Sequence, residues 1–427
     1  MRLALPDAVF RVLALLLALW CGTGTDRIQA AEEPQPRYLV LVSIDGFRWD
    51  YLQQYPTPAL QALAARGVRA DALLPVFPTL TFPNHYSIVT GQYPQRHGLV
   101  ANAFPNADQT DWYINKEAES AQDGKWYGGL PIWVAAHRAG LNTAAFFFPG
   151  TEAPVQGVRP DRWSRYDKSI PGSRRVKTVL DWLAEPPDSR PHMITLYFED
   201  VDDHSHWSGV GSKQARKAIS RVDGYIKRLV RGIDRLPYGE QVSVVVVSDH
   251  GQGSYRNPPD AFVLDEHFDI DGFRPIEGGN YLFLHATDAD ENRVMELQQA
   301  INEAWKCGHA WRPGDAPPGW HIGDNPRFPE LILVPQAGCA IASTRTSIQW
   351  LSPGDHGWAP EDPDMQGIFI AAGPGIPSGL SIPALRNVDV YPLLLRQLGI
   401  PVSEELAGSL DSNLQLWPGL LDATTTP

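Results

Sequence analysis

The side chains of this 427-residue chain that could act together chemically are carboxylates and histidines placed at the ends of strand-like runs or in a glycine turn. Asp45 follows YLVLVSI and precedes Gly46; Asp202 and His206 follow MITLYF in what reads as a loop; Asp249 and His250 follow VSVVVVS; His356 stands in PGDHG. Taken singly, an Asp at such a place can cap the next helix, and a His can be satisfied in a turn. Three Asp and three His at strand ends share no such explanation. Together they offer the donors that two zinc-like ions require, three protein ligands apiece with a position left open.

A hydroxyl stands nearby in the pattern. PTLTFPNH at 78–85 runs into a short helical stretch, with Pro83 where a first helical turn tolerates it. Thr81 would lie near the positive end of that helix, which favours an alkoxide and a bound phosphate. On local grounds alone a helix-capping threonine is the simpler account. Metal ligands alter the balance, because a coordinated hydroxyl can be acidic enough to act as a nucleophile at neutral pH.

These groups need a frame that brings them together. Tyr38–Ile44, Met193–Phe198, Val242–Ser248 and Gly367–Ala372 are continuous apolar runs of strand length, suited to strands covered on both faces. Between them lie helical patterns at Pro58–Arg66, Asn84–Thr90, Ile132–Ala139, Arg174–Leu183, Ser212–Val230 and Val388–Leu398. The alternation predicts a doubly wound α/β domain, in which ligands bind beyond the carboxyl ends of the strands. Residues 253–350 break the rhythm with dense Pro, Gly and Trp and a strand–helix–strand hint at Tyr281–His285, Glu291–Ala304 and Leu331–Val334. They read as an insertion or lid within one catalytic domain spanning 31–427.

Composition narrows the alternatives. With 43% hydrophobic and 20% charged residues the chain can bury a large core and is not a disordered one. The net charge of −13, with no basic stripe or Lys/Arg run standing out, argues against a nucleic-acid-binding module. Val12–Trp20 is an apolar run preceded by Arg2 and Arg11 and followed by small and polar residues to Ala31. It is too short to span a bilayer and suits a signal peptide over 1–30, cleaved near Ala30. The mature chain is then expected to be exported, periplasmic or secreted, with no transmembrane segment. In an oxidising compartment Cys307 and Cys339 form a candidate disulfide, against two unrelated buried thiols. No Walker A, dinucleotide glycine fingerprint, G-x-S-x-G elbow or H-E-x-x-H is present.

SIDGFR at 43–48, PTLTFPNHYSIVTGQYPQRHG at 78–98, the Asp202-to-His206 spacing after YFED, SDHG at 248–251 and DHGW at 355–358 resemble one family. It is the nucleotide pyrophosphatase/phosphodiesterase family of the alkaline phosphatase superfamily, in its bacterial single-domain form. The motifs run in the family's order from residue 38 to about 400. The resemblance implies an alkaline-phosphatase-like, mostly parallel sheet with helices on both faces, and two Zn²⁺ per chain. One ion would be held by Asp45, Thr81, Asp249 and His250, the other by Asp202, His206 and His356. Thr81 would be the nucleophile, and Asn102 would donate to a phosphoryl oxygen.

Phe82 and Tyr166 match positions that sandwich a nucleobase, and Phe147 and Phe148 lie where the family often lines its pocket. Three departures stand out: Leu80 where many animal members have Lys, Val201 in place of a Pro, and the additional His204. The implied activity is hydrolysis of nucleotides and nucleotide diesters to nucleoside 5′-monophosphates through a nucleotidyl-threonine. Phospholipid-headgroup or glycerophosphodiester hydrolysis on the same scaffold is the alternative. A non-catalytic metal-containing binding protein is disfavoured, because every nucleophile and ligand position carries a competent residue.

Overall fold

The computed structural model describes residues 37–256, 260–278 and 280–418, so the signal peptide expected over 1–30 lies outside the described residues. In chain order, the first half of the frame is built from β1 (Tyr38–Ile44), α1 (Pro58–Ala65), β2 (Val68–Ala70), α2 (Thr81–Thr90), α3 (Ile132–Arg138), β3 (Thr143–Phe146), α4 (Gly172–Leu183), β4 (Met193–Phe198), α5 (Asp200–Ser208), α6 (Lys213–Ile233) and β5 (Val242–Val247). The rest comprises β6 (Phe273–Glu277), β7 (Leu282–Ala286), α7 (Glu291–Ala304), β8 (Gly308–Trp311), β9 (Leu331–Pro335), β10 (Phe369–Ala372), β11 (Leu380–Ile382) and α8 (Val390–Leu398).

A seven-stranded sheet takes the order β11-β2-β10-β5-β1-β4-β3. β10 runs antiparallel to both of its neighbours, and the other pairings are parallel. The apolar runs are explained by cover on both faces. Leu39 and Leu41 of β1 enter one core with α2, α3 and α8; Val40, Val42 and Ile44 enter the other with α1, α4 and α6. On α6, Ile219, Val222, Ile226, Leu229 and Ile233 form the buried stripe, each contributing roughly 1.5–3 kcal/mol by leaving water. Ser212 caps that helix, its Oγ accepting from the Ala215 N–H at 3.0 Å.

Two expectations are corrected here. Asp202 and His206 lie on a helix, α5, rather than in a loop. The sequence DVDDHSHWS is poor in strong helix formers, but acids in its first turn suit the positive end of a helix. A cationic stripe also exists: Lys213, Arg216, Lys217, Lys227, Arg228 and Arg231 are exposed on α6 opposite its buried stripe. Helical spacing scatters those charges along the sequence, so they form no run.

Between β5 and β10 lies a second, four-stranded antiparallel sheet, β6-β7-β9-β8. β7, α7 and β9 fall close to where the strand–helix–strand hint placed them. The outer strands β6 and β8 escaped notice because edge strands are polar and short of apolar alternation: Arg274 and Pro275 of β6 are exposed. Cys307 and Cys339 are joined by a disulfide, with Cα atoms 6.2 Å apart. Among the described residues, no helix is long and apolar enough to cross a membrane.

Candidate active site

β1 lies between β5 and β4, parallel to both, so the residues that follow these three strands emerge side by side. Asp45, Asp249 and the first turns of α5 therefore meet at one end of the sheet, facing the N-terminus of α2. Asp45 is buried; its Oδ2 accepts from the Tyr197 hydroxyl at 2.5 Å, while its Oδ1 has no hydrogen-bond partner. Asp249 is also buried, with Oδ1 accepting from the Gly46 N–H at 3.2 Å and Oδ2 without a hydrogen bond. Gly46 adopts φ +66°, and a Cβ there would lie 3.0 Å from the Asp202 Cα. Glycine thus lets the end of β1 touch the backbone of α5.

The histidine tautomers follow from their partners. His250 Nδ1 donates to the Gly251 carbonyl at 2.9 Å, which leaves Nε2 bare. That nitrogen is 3.0 Å from Asp249 Oδ2, 3.6 Å from Asp45 Oδ1 and 3.5 Å from Thr81 Oγ1. His356 Nδ1 donates to the Thr79 carbonyl at 2.8 Å, and its Nε2 is 3.8 Å from Asp202 Oδ1. His206, one helical turn after Asp202, brings Nε2 to 3.3 Å from the same oxygen. The His250 and His356 rings stack at 3.6 Å, so the two groups of side chains adjoin.

Donor atoms of Asp202, His206 and His356 lie within 4.8 Å of one another; so do those of Asp45, His85 and Asp249, and of Asp45, Asp202 and His250. His85 was not singled out from the sequence. It follows Thr81 by one turn of α2, and both of its nitrogens are engaged: Nδ1 donates to the Thr81 carbonyl at 2.8 Å, and Nε2 accepts from Ser43 Oγ at 2.7 Å. It therefore buttresses Thr81, and its Nδ1 also lies 3.2 Å from Asp249 Oδ2, whereas His250 presents a bare nitrogen. Tyr197 and Gln252 were missed as well; Gln252 Nε2 donates to Asp202 Oδ1 at 2.6 Å. The supernumerary His204 is turned along α5, donating to the Asp200 carbonyl at 2.8 Å. Val201 is buried in the core, and Leu80 is the residue that precedes α2.

The electrostatics call for a cation. Burial, with Asp249 and Asp202 close by, pushes the Asp45 carboxyl well above its usual range. Burial also works against charge on Asp202, but His206, His356 and His250 outweigh it and hold the group at about 2. Among the described residues no Lys or Arg pairs with any of the three carboxylates. Orphaned buried oxygens on Asp45 and Asp249, with bare imidazole nitrogens beside them, are a donor set that fits zinc-like ions.

Thr81 is the first residue of α2 rather than its cap, so its hydroxyl is not spent on capping. Asn102 Oδ1 accepts from the Phe82 N–H at 3.1 Å. A cavity of about 380 Å³ opens against Asp45, Thr81 and Asp202, and its walls include Phe82, Tyr166, Phe148, Tyr127 and Tyr197. Asn102 is not among the residues lining it. Phe147 stands apart: it is buried beneath the Arg175 guanidinium, 4.9 Å from its ring centre.

A sequence model described as type I phosphodiesterase / nucleotide pyrophosphatase matches residues 39–359, most of the chain. The chain belongs to this family. It is similar to rat ectonucleotide pyrophosphatase/phosphodiesterase family member 7, at 31% identity over 408 residues covering 92% of this chain and 90% of that protein. It is likewise similar to human family member 5, at 30% identity over 396 residues, 92% of this chain and 80% of the relative. Among solved structures, an inactive Thr→Ala variant of murine family member 5 in complex with AMP superposes with a TM-score of 0.82. The two are 26% identical, and the match covers 91% of this chain and 100% of that one. The fold is thus the mixed, mostly parallel α/β architecture of these phosphodiesterases, and the chain is an enzyme of this hydrolase family.

Proposed function

We propose that this phosphodiesterase is an exported two-zinc enzyme that hydrolyses nucleotides and nucleotide diesters to nucleoside 5′-monophosphates. The observation that carries the proposal is the pair of buried oxygens without a hydrogen bond, Asp45 Oδ1 and Asp249 Oδ2, the first of them beside Thr81 at the floor of an aromatic cavity. Asp45, Thr81, Asp249 and His250 would hold one ion, and Asp202, His206 and His356 the other. Bound there, divalent ions would supply Lewis acidity to the phosphoryl oxygens and to a coordinated hydroxyl.

The chain's own groups then divide the work. Thr81 Oγ1 gives up its proton and forms a bond to phosphorus as the bond to the leaving oxygen breaks, and the leaving group departs with a proton in its place, giving a nucleotidyl-threonine. Water afterwards adds its hydroxyl to phosphorus and returns a proton to Thr81, releasing the monophosphate. Asn102, its carbonyl held by the helix, turns its amide N–H toward a non-bridging oxygen. Phe82 and Tyr166 line the cavity without a ring contact between them among the described residues, which suits a base held between the two. Phe148 forms part of the same wall. This reading treats 31–427 as one catalytic domain carrying 253–350 as an insertion.

Glu199 and Asp203 in the cavity wall are ion-paired with Arg175 and Lys168, so Glu152 is the wall carboxylate that supports a second reading, in which a cationic phospholipid headgroup occupies the cavity. Rates on nitrophenyl thymidine 5′-phosphate, nitrophenyl phosphate and nitrophenyl phosphocholine separate the possibilities. The proposal expects the nucleotide diester to be fastest. A faster phosphocholine ester would favour the headgroup reading, and a faster monoester would defeat diesterase chemistry altogether.

A further inference from the structure

Of the three histidines that face the carboxylates, His206 differs in how its second nitrogen is held. His250 and His356 each give Nδ1–H to a main-chain carbonyl, of Gly251 and Thr79. His206 instead turns Nδ1 toward a side chain: Asp355 Oδ1 lies 3.7 Å away. That carboxylate is itself held at both oxygens. Its Oδ1 accepts from the His356 N–H at 2.9 Å, and its Oδ2 accepts from the Tyr255 hydroxyl at 2.7 Å. The backbone of Asp355 is bridged to Gly253, with N–H to carbonyl distances of 2.8 and 3.0 Å in the two directions. The Tyr255 ring in turn rests edge-on against Trp358 at 5.0 Å. Gly253 and Tyr255 stand where the chain enters the 253–350 segment, and Asp355 and Trp358 stand just after it leaves.

We infer that Asp355, braced by Tyr255, is a positioning residue for His206: its carboxylate, 3.7 Å from Nδ1 and so acting through charge rather than a direct hydrogen bond, draws the proton to that nitrogen and leaves the Nε2 lone pair toward Asp202 and the ion proposed there. A carboxylate behind a metal-binding imidazole orients the ring and makes it a better donor, and loss of such a partner weakens metal binding by roughly 10–100-fold. The two main-chain carbonyls that serve His250 and His356 cannot be removed by substitution, so this effect is confined to one of the two ion positions. The inference rests on the two-zinc reading. It adds that the paired ends of the inserted segment form the outer support of that ion's site.

The test uses the purified holoprotein, with Zn²⁺ affinity at each site measured by competition with a chromophoric chelator, alongside circular dichroism and the melting temperature. Asp355→Asn should weaken one Zn²⁺ by about 10–100-fold and leave the other unchanged. Tyr255→Phe should weaken the same one by a smaller factor. At saturating Zn²⁺ the kcat of both variants should return close to wild type with KM for the nitrophenyl nucleotide unchanged. A merely structural role would lower both affinities together and resist rescue by Zn²⁺. A folded Asp355→Asn protein with wild-type affinity at both sites overturns the inference. If that variant does not fold, Tyr255→Phe decides, and unchanged Zn²⁺ affinity in it has the same effect. A wild-type protein that binds fewer than two Zn²⁺ defeats the two-zinc reading itself, and this inference with it.

Discussion

The main-chain N–H of Phe82, in the first turn of α2, donates to Asn102 Oδ1 at 3.1 Å. The contact orients the amide, because an oxygen committed to the helix leaves the NH₂ end as the part free to meet a substrate. Asn102→Ala should lower kcat/KM on a nucleotide diester by about 10²–10³ while zinc content stays at the wild-type value. An undiminished rate would remove Asn102 from the phosphoryl-binding role.

Thr81→Ala should end multiple turnover, since no other hydroxyl at the start of α2 can take its place, while zinc content stays near that of wild type. Thr81→Ser keeps the hydroxyl and should retain measurable activity. Turnover of the alanine variant above about one per cent of wild type would mean that Thr81 is not the nucleophile.

Tyr166 is 42% exposed, so truncating it should cost little stability and report mainly on binding. Phe82→Ala and Tyr166→Ala should each remove stacking of roughly 1–3 kcal/mol, lowering kcat/KM for nucleotide diesters by about ten- to a hundredfold. Bis(nitrophenyl) phosphate should be nearly unaffected. Equal losses on both substrates would make these rings structural.

Burial, reinforced by the nearby Arg327, holds the His97 imidazole down at about 3, against about 6.5 in an unfolded chain. Between those values the unfolded chain takes up a proton that the folded one refuses. The associated stability is complete above about pH 6.5 and is lost as the pH falls toward 3, by up to about 1.4 kcal/mol per pH unit. Urea unfolding of wild type and His97→Gln at pH 7.5, 6 and 5 should show a shallower decline in the variant. Parallel declines would assign the acid sensitivity elsewhere.

Closing the interval between Cys307 and Cys339, 32 residues apart, should contribute about 3–4 kcal/mol through the unfolded chain. Cys307→Ser should lower the melting temperature with little change in rate at 25 °C. Two titratable thiols in the native protein would show that the bond does not form.

The central strands were legible because cover on both faces makes every position apolar, as in β1, and the metal-binding candidates because they stand where such runs stop. α5 was not legible: its acids and histidines read as a loop, and the helix is evident only once its first turn lies against Gly46. Tyr197 and His85 were hidden for a different reason. Each looks like an ordinary core residue of a strand or helix, and only the pairing of β1 with β4 and the packing of α2 over β1 reveal that their polar atoms meet Asp45 and Asp249.

Gly46 leaves no room for a side chain between the end of β1 and the start of α5. The separation of the two carboxylate groups is therefore set by main chain against main chain, whereas Tyr166 at the cavity mouth hangs from a loop. Reactivity and selectivity are mechanically separable at that ring. A descendant of this chain could exchange Tyr166 and acquire a new substrate without disturbing the spacing on which bond cleavage depends, but a single methyl group at residue 46 would force that spacing to change.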